Sequence, residues 1–196
     1  MGASELTVPT TDQLVKVLEA PEHFGGLKNA RGIIVAFDRV GADTKVDFDL
    51  AAVAASVQDE SGGWNTWGHD PWEGPHSPYP KGIAHEPSRD LVDPVTEDNF
   101  KAYWKLMTEG GWQPQGVGPS QITEYGLQAA AEAIGGAWHP ENSMTVGFHD
   151  LKQLFVAAGS AQLGYQHYNG SGPAAVAYGI RLNNDRLQWQ AWINGA

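Results

Sequence analysis

Six of the twelve prolines fall between Pro71 and Pro94, and this cluster constrains the chain more than any other feature. Proline fixes φ and removes a backbone donor, so a stretch this dense cannot continue a helix or lie inside a sheet. Trp64, Trp67 and Trp72 stand at its start. Large aromatic side chains argue against a floppy linker. Residues 61–95 therefore read as an ordered loop with a small hairpin near its start; long loops of this kind in compact domains are usually functional or disordered, and the tryptophans favour functional.

Around this loop the apolar spacing is helical. Leu50, Val53, Ala54 and Val57 recur at i, i+3, i+4 and i+7 behind the capping candidates Asp47 and Asp49. Phe100, Tyr103, Trp104 and Met107 repeat the pattern after Thr96, Glu97 and Asp98, and Gly110-Gly111 stops it. A third helix is predicted from near Thr123 through Leu127, Ala130, Ala131 and Ile134 to Gly135-Gly136. A fourth runs from about Ser143 through Phe148, Leu151, Phe155 and Ala158 to Gly159. Pro173 suits the first turn of a last helix carrying Val176, Ala177 and Ile180. Two shorter helices fit before residue 41. No repeat is visible. The 196 residues suffice for one domain with its own core, and 41% hydrophobic residues with eight Trp exclude a disordered chain.

Several function classes are excluded early. Twelve basic and 23 acidic residues give a formal net charge of −11, without the Lys/Arg clusters that phosphate contacts require, so nucleic acid is not expected as a partner. Cysteine is absent, which removes disulfides, thiolate zinc sites and Cys nucleophiles. No run approaches the ~18 continuous apolar residues of a membrane span, so no membrane insertion is expected. The opening Met1-Gly2-Ala3-Ser4-Glu5-Leu6 matches neither a signal peptide nor a myristoylation site.

Three short segments carry the chemistry. Glu60, in Asp59-Glu60-Ser61-Gly62-Gly63, continues the buried stripe of Val53 and Val57 and sits where its helix should end. The negative end of the helix dipole and partial desolvation both disfavour an ionised carboxylate there, which suits a general acid near neutral pH. Gly116-Val117-Gly118-Pro119-Ser120-Gln121-Ile122-Thr123 is a Gly-rich turn leading into a helix, with no Lys-Ser/Thr to make it a phosphate loop. Tyr168-Asn169-Gly170-Ser171-Gly172 is a turn before the last helix.

In this order the three segments resemble the lysozyme-like lytic transglycosylases, a scheme shared by goose-type lysozymes. Glu60 and Ser61 correspond to that family's Glu-Ser pair, whose Glu is the catalytic acid. Gly118-Pro119-Ser120-Gln121 corresponds to its Gly-Leu-Met-Gln turn, with Pro119-Ser120 in place of Leu-Met. Tyr168 and Asn169 match its Ala-Tyr-Asn segment, with His167 in place of Ala. Val95 to Phe100 followed by Gln115 to Thr123 is similar to the corresponding domain of endolysins from phages of mycobacteria and related actinobacteria. The resemblance covers residues 45–180. It implies a mainly α, lysozyme-like α+β fold: a helical bundle around a substrate cleft. Residues 45–196 would form the catalytic domain, and residues 1–44 a helical extension of the same single domain.

The resemblance further implies cleavage of the β-1,4 bond between N-acetylmuramic acid and N-acetylglucosamine in peptidoglycan. Glu60 would act first as acid and then as base of a lytic transglycosylase, forming an anhydro-muramyl product. Ser61, Gln121, Tyr168, Asn169, Trp64 and Trp67 would contact the glycan. A hydrolytic muramidase needs a second carboxylate, and Asp70, Glu73, Glu86, Asp90 and Asp93 are the candidates. A glycan-binding module without activity is the alternative of a different class, motivated by the altered Pro119-Ser120 turn. His69, His76 and His85 with Asp70 match no helical ligand spacing, so neither metal nor cofactor is expected. The implied setting is a monomeric module of a larger endolysin, made in the host cytoplasm and reaching the wall through a membrane hole.

Overall fold

The computed structural model describes residues 9–68, 94–110 and 114–196. The proline-rich stretch 69–93, with Trp72, the five candidate second carboxylates and His69, His76 and His85, lies outside the described residues. Among the described residues the chain forms eight helices: α1 Thr11–Glu19, α2 Ala30–Val40, α3 Leu50–Glu60, α4 Glu97–Gly110, α5 Tyr125–Ala133, α6 Pro140–Ala158, α7 Ala161–Tyr168 and α8 Pro173–Asn194. The fold is mainly α. Among the described residues the pairing between extended segments is limited to isolated antiparallel bridges, Asp43 to Phe48, Thr66 to Pro94, Trp67 to Val117 and Val117 to Ile122.

Helix α3 is the centre of the larger core. Asp49 caps it by accepting the Ala52 N–H at 2.8 Å, and every residue from Leu50 to Val57 is buried. The spacing of Leu50, Val53, Ala54 and Val57 suggested a single apolar stripe. The helix is instead enclosed on all sides, because Ala51, Ala52, Ala55 and Ser56 are small enough for neighbouring helices to close over the other face. Helix α8 packs along it, and the buried Tyr165 hydroxyl of α7 donates to Ala52 O at 2.7 Å. Leu18, Ile33 and Ile34 from α1 and α2 join this same core, together with Phe148, Phe155 and Trp189.

A second, smaller core gathers Trp67, Val95, Phe100, Tyr103, Met107, Val117, Ile122 and Ala131 from α4, α5, the segment between them and the segments before α4. Helix α6 starts at Pro140 rather than near Ser143, since proline is at home in a first turn. Helix α7 escaped the periodicity reading: eight residues with Gly164 at its centre give too short a pattern, and Ser160 caps it through the Leu163 N–H. No helix among the described residues is long and apolar enough to cross a membrane.

Candidate active site

A cleft of about 550 Å³ opens where the two cores meet. Four stretches of chain build its wall: the end of α3 with Glu60, the Gly116–Leu127 stretch with Gln121, Thr123 and Glu124, the middle of α6 with Asp150 and Leu154, and the end of α7 with His167, Tyr168 and Asn169. Glu60, Gln121, Tyr168 and Asn169 are far apart in sequence and line one cavity.

Glu60 is held by its helix and by the turn that follows. The Ser61 and Gly62 N–H groups both donate to Val57 O and close the helix end. Lys28 N–H donates to Gly62 O at 2.9 Å, and Asn29 Nδ2 donates to Gly63 O at 2.7 Å. Gly63, at φ 86°, presses against the Lys28 backbone where a Cβ would overlap it. Ser61 does not line the cleft. Its hydroxyl donates to Pro119 O at 2.8 Å and accepts from the Gly63 N–H at 3.0 Å, fastening the end of α3 to the Gly-rich turn.

The Glu60 carboxyl is largely buried, and that desolvation raises its pKa to about 7. The Tyr178 hydroxyl donates to Glu60 Oε1 at 3.1 Å and opposes the rise. The neighbouring charge of Asp59 adds to it, and Arg181, paired with Asp59, offsets part of that. Near neutral pH the group is therefore poised between acid and base, the condition general acid–base catalysis favours. Tyr178 sits one turn into α8 with no motif around it. The last helix was expected to carry its apolar face on Val176, Ala177 and Ile180, but these are exposed and the buried face holds Ala175, Tyr178 and Leu182, so sequence reasoning passed Tyr178 over.

The Gly-rich turn is seated by close approach. Gln121 adopts φ 47°, and its Nε2 donates to Gly118 O at 2.7 Å and Thr66 O at 3.2 Å. Its amide lies between Gly68 and Gly116, where any Cβ would collide with it. Gly118, at φ 76°, abuts the Ser143 side chain of α6, and Gly147 leaves room for Ser120. Pro119-Ser120 is thus compatible with a tight turn. The Tyr168 hydroxyl donates to Ser120 O at 3.1 Å and ties α7 to the same turn.

A buried amide network supports it from behind. Gln128 Nε2 donates to Gln115 O and Ile122 O, Tyr103 donates to Gln128 Oε1 at 3.0 Å, and Gln115 Nε2 donates to Gly68 O. Gly118→Ala should lower stability by about 2 kcal/mol, from a left-handed φ and overpacking against Ser143. A fall in Tm of roughly 5 °C checks it.

The tryptophans divide. Trp64 is 50% exposed beside the end of α3, with the Lys28 ammonium over its ring at 5.4 Å. Trp67 is 2% exposed and packed among Phe100 and Tyr103, so its faces are occupied by the smaller core. Among the described residues, no three His, Asp or Glu side chains are grouped to hold a metal ion.

Asp150 and Glu124 are carboxylates in the cleft that motif reading did not single out. Asp150 is half-buried, and its pKa is raised, first by desolvation and then by the charge of Glu124. The pattern that placed Leu151 and Phe155 on a buried face contained no signal that the preceding Asp150 would face a cavity. Comparison with known protein families, curated proteins and solved structures finds no match to this chain.

Proposed function

We propose that the chain cleaves the β-1,4 bond between N-acetylmuramic acid and N-acetylglucosamine in peptidoglycan, with Glu60 as acid and base. The observation that carries this reading is one desolvated carboxyl, raised to about 7, in a cleft that Gln121, Tyr168 and Asn169 also line. Protonated Glu60 gives its proton to the glycosidic oxygen as the C1–O bond breaks. The oxocarbenium-like centre then takes the sugar's own C6 hydroxyl as nucleophile, and the Glu60 carboxylate removes that proton, closing a 1,6-anhydro ring. This lytic transglycosylase route, the one the family resemblance implies, needs a single carboxylate.

Gln121 and Ser61 shape the wall through backbone acceptors, while Asn169 on the exposed rim is free in position to meet a sugar. Half-exposed Trp64 stands beside the end of α3 and outside the cleft lining, where its ring could stack only on a sugar that extends beyond the cleft. Incubating the protein with purified peptidoglycan and analysing the soluble fraction by mass spectrometry tests the proposal. Anhydro-muramyl ends are expected, and an absence of soluble muropeptides would refute it.

Tyr178→Phe gives a sharper check on the acid. Its hydroxyl lowers the Glu60 pKa, so the variant should raise it. The active form is protonated, and activity is lost as pH rises through the pKa. The alkaline limb of the pH–rate profile should therefore move up by about half to one pH unit.

A further inference from the structure

We propose that Asp150 is a second working carboxylate of the cleft, activating a water so that the same site also hydrolyses the glycan. The inference rests on Glu60 being the acid. Of the three carboxylates lining the cleft among the described residues, Glu60 occupies one wall, and Glu124 is exposed at the start of α5. Asp150 is half-buried on a different element from Glu60, the 19-residue helix α6.

Its placement follows from the face of α6 that meets the Gly-rich turn. Ser143 and Gly147 receive Gly118 and Ser120. One turn further on, where the loop no longer covers the helix, Asp150 emerges into the cavity with Leu154 beyond it. Tyr168 links the two carboxylates electrostatically: after desolvation, the charges of Glu60 and Asp150 are the largest influences opposing its ionisation.

Hydrolysis needs two groups on opposite sides of C1, one protonating the leaving oxygen and one accepting a proton from the incoming water. A site of about 550 Å³ has room for that water beside a sugar ring. The balance is simple. The C1–O bond breaks as Glu60 protonates the leaving hydroxyl. A water oxygen bonds C1 from the opposite face, and its proton passes to the Asp150 carboxylate. The product has a reducing end of inverted configuration instead of an anhydro ring. Water thus competes with the C6 hydroxyl for one intermediate, and Asp150 sets the share.

The test is peptidoglycan digestion in 18O-water by the parent chain, Asp150→Asn and Glu60→Gln, with fragments read by mass spectrometry and fresh anomers by NMR. The parent should give some 18O-labelled reducing ends, initially the α-anomer, beside anhydro ends. Asp150→Asn should lose the labelled fraction by about 10²-fold while anhydro ends persist. For Asp150→Ala, added azide should restore the non-anhydro share of the product as the α-glycosyl azide, a result that a purely structural role would not give. Exclusively anhydro ends from the parent, or labelled ends undiminished in Asp150→Asn, would overturn the role of Asp150 and leave Glu60 standing. Labelled and anhydro ends undiminished in Glu60→Gln would overturn the underlying reading, and the inference with it.

Discussion

Glu60→Gln should lower the rate of muropeptide release by about 10³-fold, because it keeps the shape of the acid and removes its proton. The same variant should be more stable than the parent at alkaline pH. The folded-state pKa of Glu60 is about 7 against an ordinary 4.5, so the folded protein holds this proton more tightly than the unfolded chain does. Stability attributable to the group is complete below pH 4.5 and declines as pH rises through 7, where a charge must be kept in a desolvated place. The accumulated penalty at pH 8 is about 3 kcal/mol.

Glutamine carries no charge, so its advantage should be largest at pH 8 and vanish near pH 4. Thermal melts of both proteins at the two pH values, run beside the activity assay, separate loss of chemistry from loss of fold. Parental activity in Glu60→Gln would remove Glu60 from the mechanism. An unchanged difference in Tm across pH would remove the desolvation argument.

The largest stability effect is expected at the other end of the same helix. Asp49 caps α3 through the Ala52 N–H and accepts from Gln190 Nε2 at 3.2 Å. It also pairs at 2.6 Å with Arg186, whose side chain is 4% exposed. Asp49→Ala removes a cap and strands a buried guanidinium, leaving it the longer contact with exposed Asp47 at 3.5 Å. Breaking a buried pair from one side destabilises by about 3–5 kcal/mol, a fall in Tm of about 10 °C or more for a chain of this size.

Asparagine can still cap a helix, so Asp49→Asn should recover roughly 1 kcal/mol of the loss. Replacing Arg186 by Met in the Asp49→Asn background should recover more, since no charge is then left without its partner. A chemical-denaturation series over the four proteins decides the point. Equal stability of Asp49→Ala and the parent would show that Asp47 or water replaces the carboxylate.

Most of the helices were legible because an apolar face repeats at a spacing set by the backbone, and caps and glycines mark the ends. In α8 only the helix was legible and not its face: Val176, Ala177 and Ile180 are exposed, and Ala175, Tyr178 and Leu182 are buried. Glu60 was legible for a related reason. A carboxylate that continues an apolar stripe into a helix terminus must be half desolvated, whatever packs beside it. The turn at Gly116–Gln121 announced itself by its glycines, and close approach to Gln121 and Ser143 is what those glycines permit.

Sequence reasoning went wrong or fell silent where a side chain's role depends on what lies across from it. Trp64 and Trp67 are three residues apart and looked alike, yet one is half exposed and the other lies in the smaller core. Ser61 looked like a sugar contact and instead fastens two segments together. Tyr178 and Asp150 had no motif at all.

The sequence by itself determined a mainly helical chain and an acid placed at a helix end, because local periodicity, capping and burial are properties of a few neighbouring residues. Only the tertiary structure decided that α3, the Gly-rich turn, α6 and α7 meet at one cleft. It also decided that Tyr178 and Arg181 tune the acid and that Asp150 faces the same space. Those relations join residues more than a hundred positions apart in some cases, as with Tyr178 and Glu60. Coulombic and desolvation effects act through distance in space, which no spacing along the chain encodes.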